Sequence, residues 1–136
     1  MEKIVLSLSG MGLIDRISFP TYKVVLTMDE NGKHASLEID EDSYCPEDIK
    51  QEFGESRPVE LPKRVMKAFT EHAIDKILSK DEIPGADNVF VLDGNSYTIV
   101  INKGNITKEY EADDVSVDTY PLFRYLASWY RREMGM

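Results

Sequence analysis

Apolar and polar residues alternate through the first forty residues, as in strands that bury one face. The alternation is loose over residues 3–9, residues 21–28 are rich in β-branched and aromatic side chains, and residues 33–40 alternate strictly. Asn31 and Gly32 between the last two segments form a tight-hairpin signal. Three strands are therefore predicted, with a turn or bulge in the Ser-Gly-Met-Gly run at residues 9–12.

Helical periodicity replaces the alternation in three places. A short helix is predicted from Cys45, with a proline in its first turn and Gly54 as its terminator. A longer helix is predicted from Pro62 to Ser79, because apolar residues recur at every fourth position. A last helix is predicted from about 121 to 135.

Three further strands, at residues 88–92, 96–102 and 106–111, are separated by Gly-Asn turn signals, which predicts a meander. The prediction is a single α+β domain over residues 1–136. Its two sets of hairpin or meander strands form an antiparallel sheet, or two sheets, packed with a central helix and a C-terminal helix.

Composition excludes several function classes. The chain of 136 residues has 16 Lys plus Arg, 25 Asp plus Glu and a net charge of −9. Direct nucleic-acid binding and an anionic membrane surface are therefore not expected. No apolar run is long enough to span a membrane, and one cysteine allows neither a disulfide framework nor a Cys-rich zinc site. The N-terminus lacks a cleavable leader pattern, so a cytoplasmic location is predicted.

Several strand, turn and helix-start positions form a pattern across most of the chain. They are Ser9-Gly10, the Tyr-Lys-Val-Val-Leu run from Tyr22, Asp93-Gly94 followed by Tyr97, Ile99 and Ile101, and Tyr120-Pro121-Leu122 with Leu126. This pattern resembles that of a set of small bacterial or phage proteins of unknown function. The resemblance implies a compact α+β fold and a bacterial or phage source, and it carries over no catalytic or binding residue.

The acidic residues are concentrated in one stretch. Residues 28–60, named the acidic lobe below, contain eleven acids and only three bases. Such a lobe attracts a basic protein surface, for example that of a nuclease or another nucleic-acid-binding protein. The alternative is that these acids solubilise exposed turns and cap a helix, which is the commoner role of charge runs. The candidate partner-binding residues are Glu38, Asp40, Glu41, Asp42, Glu47 and Asp48.

The last helix carries an unusually wide apolar and aromatic arc. Tyr125, Trp129 and Tyr130 are candidates for a contact face, because aromatic residues are enriched at interface hot spots. Burial of the helix between the sheet and the central helix is the favoured alternative, since aromatic side chains also dominate core packing.

Catalytic motifs are weak. His34 and His72 are 38 residues apart, and His72 is expected to be a partly buried structural histidine and not a metal ligand. Acidic neighbours of Cys45 oppose a reactive thiolate. The glycines at 10 and 12 lack the third glycine of a dinucleotide loop. No cofactor, metal or enzymatic activity is predicted.

The sequence thus favours a small acidic interaction protein, monomeric or homodimeric, most simply an inhibitor of the immunity or phage anti-defence type. One alternative is a small-ligand-binding or regulatory domain with its site near Tyr22, Tyr97 and Trp129. The other is an acid–base enzyme that pairs carboxylates with His34 or His72.

Overall fold

The computed structural model describes residues 2–11, 22–39, 56–83 and 96–134. These residues contain one antiparallel sheet of six strands. The strands are β1 (Ile4–Met11), β2 (Tyr22–Asp29), β3 (Gly32–Ile39), β4 (Ser56–Pro58), β5 (Ser96–Lys103) and β6 (Ile106–Asp113). Their order across the sheet is β4-β3-β2-β1-β5-β6. The predicted α+β class is confirmed.

Three α-helices and a 3₁₀ helix complete the described part. The helices are α1 (Lys63–Ala68), α2 (Glu71–Leu78) and α3 (Pro121–Met134), and the 3₁₀ helix spans Ser116–Thr119. Proline at the first position of α3 suits its fixed φ angle and its missing N–H. None of the helices in the described ranges combines the length and the apolar character needed to cross a bilayer.

The prediction of one helix from 62 to 79 is wrong, because the chain leaves helical geometry at Phe69 and Thr70. Thr70 is extended (φ −127°, ψ 157°), and its hydroxyl accepts a hydrogen bond from the amide of Ala73 at 3.1 Å. That bond caps a new helix by satisfying one of its free N–H groups. Phe69 remains fully buried at the break. A local capping interaction therefore divides a segment whose apolar spacing indicates one helix.

One face of the sheet, named the core face, is apolar and buried. On β1 it presents Ile4, Leu6 and Leu8, all fully inaccessible. Alternate residues on the opposite face, such as Val5 and Ser7, are half-buried. The fully buried core also includes residues of β2, β5, all three helices and the link between α1 and α2: Val24, Leu26, Val65, Phe69, Ile74, Ile99, Ile101, Phe123, Leu126 and Ala127.

The predicted turn or bulge after the first strand is wrong within the described residues. Gly10 and Met11 continue β1 in one-to-one register with Tyr97 and Ser96 of β5. Gly10 donates its amide hydrogen to the hydroxyl of Tyr130 at 3.1 Å, which gives this amide a partner beyond the last β1–β2 register pair. The strand therefore extends through the glycine instead of turning at it.

The predicted hairpins are confirmed at Gly32 and Gly104, which have φ angles of 113° and 58°. Glycine adopts these left-handed conformations without steric penalty. The predicted pairing of 96–102 with 88–92 is wrong, because β1 and β6 occupy both edges of β5. The segment 88–92 itself and the helix predicted from Cys45 lie outside the described residues.

A matched pair of isoleucine substitutions tests this packing. Ile99 is fully buried on the core face, whereas Ile106 is 50% exposed. Ile99→Ala is expected to lower the free energy of unfolding by about 2–5 kcal/mol, because it removes buried methylenes and leaves a cavity. Ile106→Ala is expected to change it by less than about 0.5 kcal/mol. Urea unfolding followed by circular dichroism measures both, and equal losses would contradict the assigned burial of the two side chains.

Candidate functional site

Of the six predicted partner-binding acids, only Glu38 lies in the described part of the chain. It is half-buried on β3, on the face opposite the core. Its carboxylate is 3.7 Å from the ammonium of Lys23, its register partner on β2. Partly exposed pairs of this kind contribute little to stability. Asp40, Glu41, Asp42, Glu47 and Asp48 lie outside the described residues.

The register of β3 and β4 nevertheless locates the attachment of the acidic stretch. Glu38 and Ser56 are partners across these strands, so the stretch 40–55 leaves and rejoins the sheet at one corner. This stretch contains seven acids and one base. The described residues contain fifteen acids and fourteen bases, and are therefore close to neutral. Most of the net negative charge is thus attached to the sheet at its β3–β4 corner.

The three aromatic residues of the last helix are not equally accessible. Trp129 and Tyr130 are 8% and 1% exposed, and both belong to the hydrophobic core. Tyr125 is half-buried, with the guanidinium of Arg64 at 5.2 Å and that of Arg124 at 5.1 Å from its ring centroid. The three therefore do not form one accessible face. Tyr125 instead links α1 to α3 through cation–π contacts.

A polar network at one end of the sheet holds α3 in place. The hydroxyl of Tyr97 donates to Asp114 at 2.7 Å, and Arg131 donates to the same carboxylate oxygen at 2.9 Å. Tyr130 donates to the carbonyl of Tyr22 at 2.5 Å. Burial and the hydrogen bond to Asp114 raise the pKa of Tyr97 well above its ordinary value. Tyr97 therefore remains a neutral donor near pH 7 and is unsuited to act as a base.

Two lysines and a tyrosine hold α2 against the sheet. Lys103 pairs with Asp75 and Glu71, and the hydrogen bond to Asp75 raises the pKa of Lys103 above its ordinary value. Lys108 donates to the carbonyl of Leu78, and Tyr110 donates to the carbonyls of Ile77 and Lys80. These contacts satisfy carbonyls at the C-terminal end of the helix. A structural role accounts for all three side chains.

The histidines do not form a catalytic arrangement in the described part of the chain. His34 lies on an exposed hairpin, with its Nε2 atom 3.4 Å from Asp29. The prediction of a partly buried His72 is wrong, because α2 buries Ile74 and Ile77 and leaves His72 exposed. No group of three possible metal ligands occurs among the described residues. Cys45 and the second glycine of the G-x-G run lie outside them.

The ligand site predicted near Tyr22, Tyr97 and Trp129 corresponds to a packed region. Tyr97 is 1% and Trp129 is 8% exposed, and the carbonyl of Tyr22 accepts the hydroxyl of Tyr130. A groove does occur in the described part of the chain, but at the β3–β4 edge beside α1. None of these three residues lines it.

Comparison with protein-family models, with curated proteins and with solved structures finds no match. The resemblance to small bacterial or phage proteins therefore stays a prediction.

The Tyr97 network predicts a loss of stability at alkaline pH. An unfolded tyrosine ionises near pH 10, whereas burial keeps Tyr97 and Tyr110 protonated above that pH in the folded protein. Their contribution is therefore complete below about pH 10 and is lost as the pH rises further. The loss is expected to reach about 1.4 kcal/mol per pH unit for Tyr97, and Tyr110 contributes in the same direction.

Urea unfolding at several pH values between 9 and 11 measures this slope. Tyr97→Phe is expected to make the slope shallower, because it removes one of the two groups. Tyr125→Phe is the matched control for loss of a tyrosine hydroxyl outside the network. Equal slopes for the wild type and Tyr97→Phe would contradict the interpretation.

Proposed function

We propose that this protein is a small acidic inhibitor that binds a basic surface of a partner protein through its acidic lobe. The partner class is a nuclease or another nucleic-acid-handling protein of the cytoplasm, because such proteins carry basic surfaces that bind phosphates. The observation that carries the proposal is the separation of charge. A nearly neutral described body bears an acidic stretch attached at one corner of the sheet.

This arrangement favours one direction of approach for an oppositely charged partner. A charge of one sign grouped at one place accelerates encounter with an oppositely charged surface and favours one orientation of approach. Glu38 and Ser56, which flank the stretch 40–55, are register partners at one corner of the sheet, so the stretch is attached there at both ends. A similar number of acids spread evenly over the surface gives a weaker local field.

The ordered polar side chains of the body support the same proposal. Tyr97, Lys103 and Arg131 all bond to neighbouring helices, turns or strands in the described structure. Their contacts stabilise the scaffold, so these three side chains do not account for binding of a partner.

A salt-graded pull-down tests the proposal. The tagged protein is incubated with an extract of the cells that produce it, or of their host, and eluted in steps of rising salt. The proposal predicts that partners rich in Lys and Arg leave at low salt, because screening weakens contacts between exposed charges. A bait that elutes alone, or partners released only by denaturant, would contradict it.

Charge-reversal variants distinguish the effect of the acidic lobe on association from that of the rest of the surface. Replacing Glu38, Asp40, Glu41 and Asp42 by lysine is expected to slow association with the captured partner by about tenfold or more at low salt and to flatten its salt dependence. The matched control carries the same change of charge on exposed acids elsewhere. Its four substituted residues are Glu82, Glu109, Asp118 and Glu133. Stopped-flow measurements that find equal rates for the two variants would contradict the role of the lobe.

A further inference from the structure

The described part of this acidic protein contains a groove whose charged rim is mainly basic. The groove has a volume of about 760 Å³ and lies between α1 and the edge formed by β3 and β4. This volume is in the range of pockets that hold one small molecule. Its lining residues are Lys33, Ala35, Pro58, Val59, Glu60, Leu61, Lys63, Met66 and Lys67.

Three lysines from two elements line the groove. Lys33 projects from β3 and donates to the carbonyl of Met66 at 2.8 Å, which holds its side chain across to the last turn of α1. Lys63 and Lys67 are one helical turn apart on α1, and both are exposed. With Glu60 as the acid in the lining, the groove has a net charge of about +2.

The lysines of the groove are not used in ion pairs within the described structure. The ion pairs that join described residues involve Lys23, His34, Lys103, Lys108 and Arg131. Lys63 and Lys67 also carry like charges four residues apart on α1, and such charges repel each other. An external anion between them would relieve this repulsion.

The rest of the lining is apolar. Leu61 is 7% exposed, and Ala35, Val59 and Met66 are half-buried and pack against the core. The amide of Val59 donates to the carbonyl of Ala35 at 3.1 Å, which fixes one wall of the groove against β3. An apolar surface bordered by ammonium groups matches a molecule that has an apolar part and an anionic part.

We propose that the lysine groove, defined by Lys33, Lys63, Lys67 and their apolar neighbours, binds a small amphiphilic anion. Such a ligand joins an aromatic or aliphatic body to a carboxylate, sulfonate or phosphate. The body packs on Leu61 and Met66, and the anion accepts hydrogen bonds from the lysines. A nucleic acid is disfavoured, because the net charge of −9 repels a polyanion. Five of the lining residues, Lys33, Ala35, Pro58, Val59 and Glu60, lie within the acidic lobe, but the proposed site uses its lysine and apolar side chains and not the acids on which the proposed function rests.

The experiment compares two probes on the wild-type protein. One is 8-anilinonaphthalene-1-sulfonate, which has an aromatic body and one anionic group, and the other is N-phenyl-1-naphthylamine, which lacks the sulfonate. The proposal predicts saturable binding of the sulfonate and weaker binding of the neutral analogue. It also predicts amide shifts in nuclear magnetic resonance spectra at Ala35, Leu61 and Met66. Absent saturable binding, equal affinities of the two probes, or shifts confined to other surfaces would overturn it.

A pair of double variants isolates the lysines. K63Q/K67Q is expected to weaken binding of the sulfonate probe by about fivefold or more, because it removes two of the three positive charges that line the groove. K76Q/K80Q removes the same charge from exposed lysines that do not line the groove, and is expected to weaken binding by less than about 1.5-fold. Equal losses in the two variants would show a nonspecific charge effect and overturn the proposal. If a variant fails to fold, the comparison of the two probes on the wild-type protein still tests the proposal.

Discussion

The structure depends on the pairing of β1 with strands on both of its sides. β1 joins β2, which precedes the helices α1 and α2, to β5, which follows them. Its register with both neighbours puts Ile4, Leu6 and Leu8 on the core face. A shift of one residue would turn these side chains to the opposite face, so burial and register enforce each other. Without β1 the two hairpins share no sheet.

A continuous core face then determines where the helices lie. Lys33, Tyr97 and Tyr110 extend from strands on or beside that face and bond to α1, to the Asp114–Arg131 pair of the α3 region, and to α2. These polar contacts fix each helix at a definite position, whereas apolar packing alone is less directional. The lysine groove is a consequence, since α1 is held beside the β3–β4 edge without filling the space between them.

Patterns of a few neighbouring residues predict the strands and hairpins of this fold, because these elements depend mainly on interactions between residues close in sequence. Alternation at Ala35 and Leu37 and the glycine turn at Gly104 indicate strands and hairpins that the structure contains. The partner of β5 could not be read from such patterns, because β1 is more than eighty residues away in sequence. The break at Thr70 depends on one capping bond that apolar periodicity does not record.

The candidate sites also differ in how far the sequence predicts them. The acidic lobe is visible in the sequence because charge density is a local property. The Tyr97–Asp114–Arg131 network and the lysine groove each gather residues from separate strands, turns and helices, so only the tertiary structure brings them together. The fold thus joins a nearly neutral scaffold to charges with a defined point of attachment, and the proposed function rests on this arrangement.

Hydrogen–deuterium exchange of the protein with and without its captured partner tests this account most directly. The account predicts slower exchange on binding within residues 28–60, while amides of β5, β6 and α3 exchange at unchanged rates. Protection centred on α3 or β6, with residues 28–60 unaffected, would contradict it.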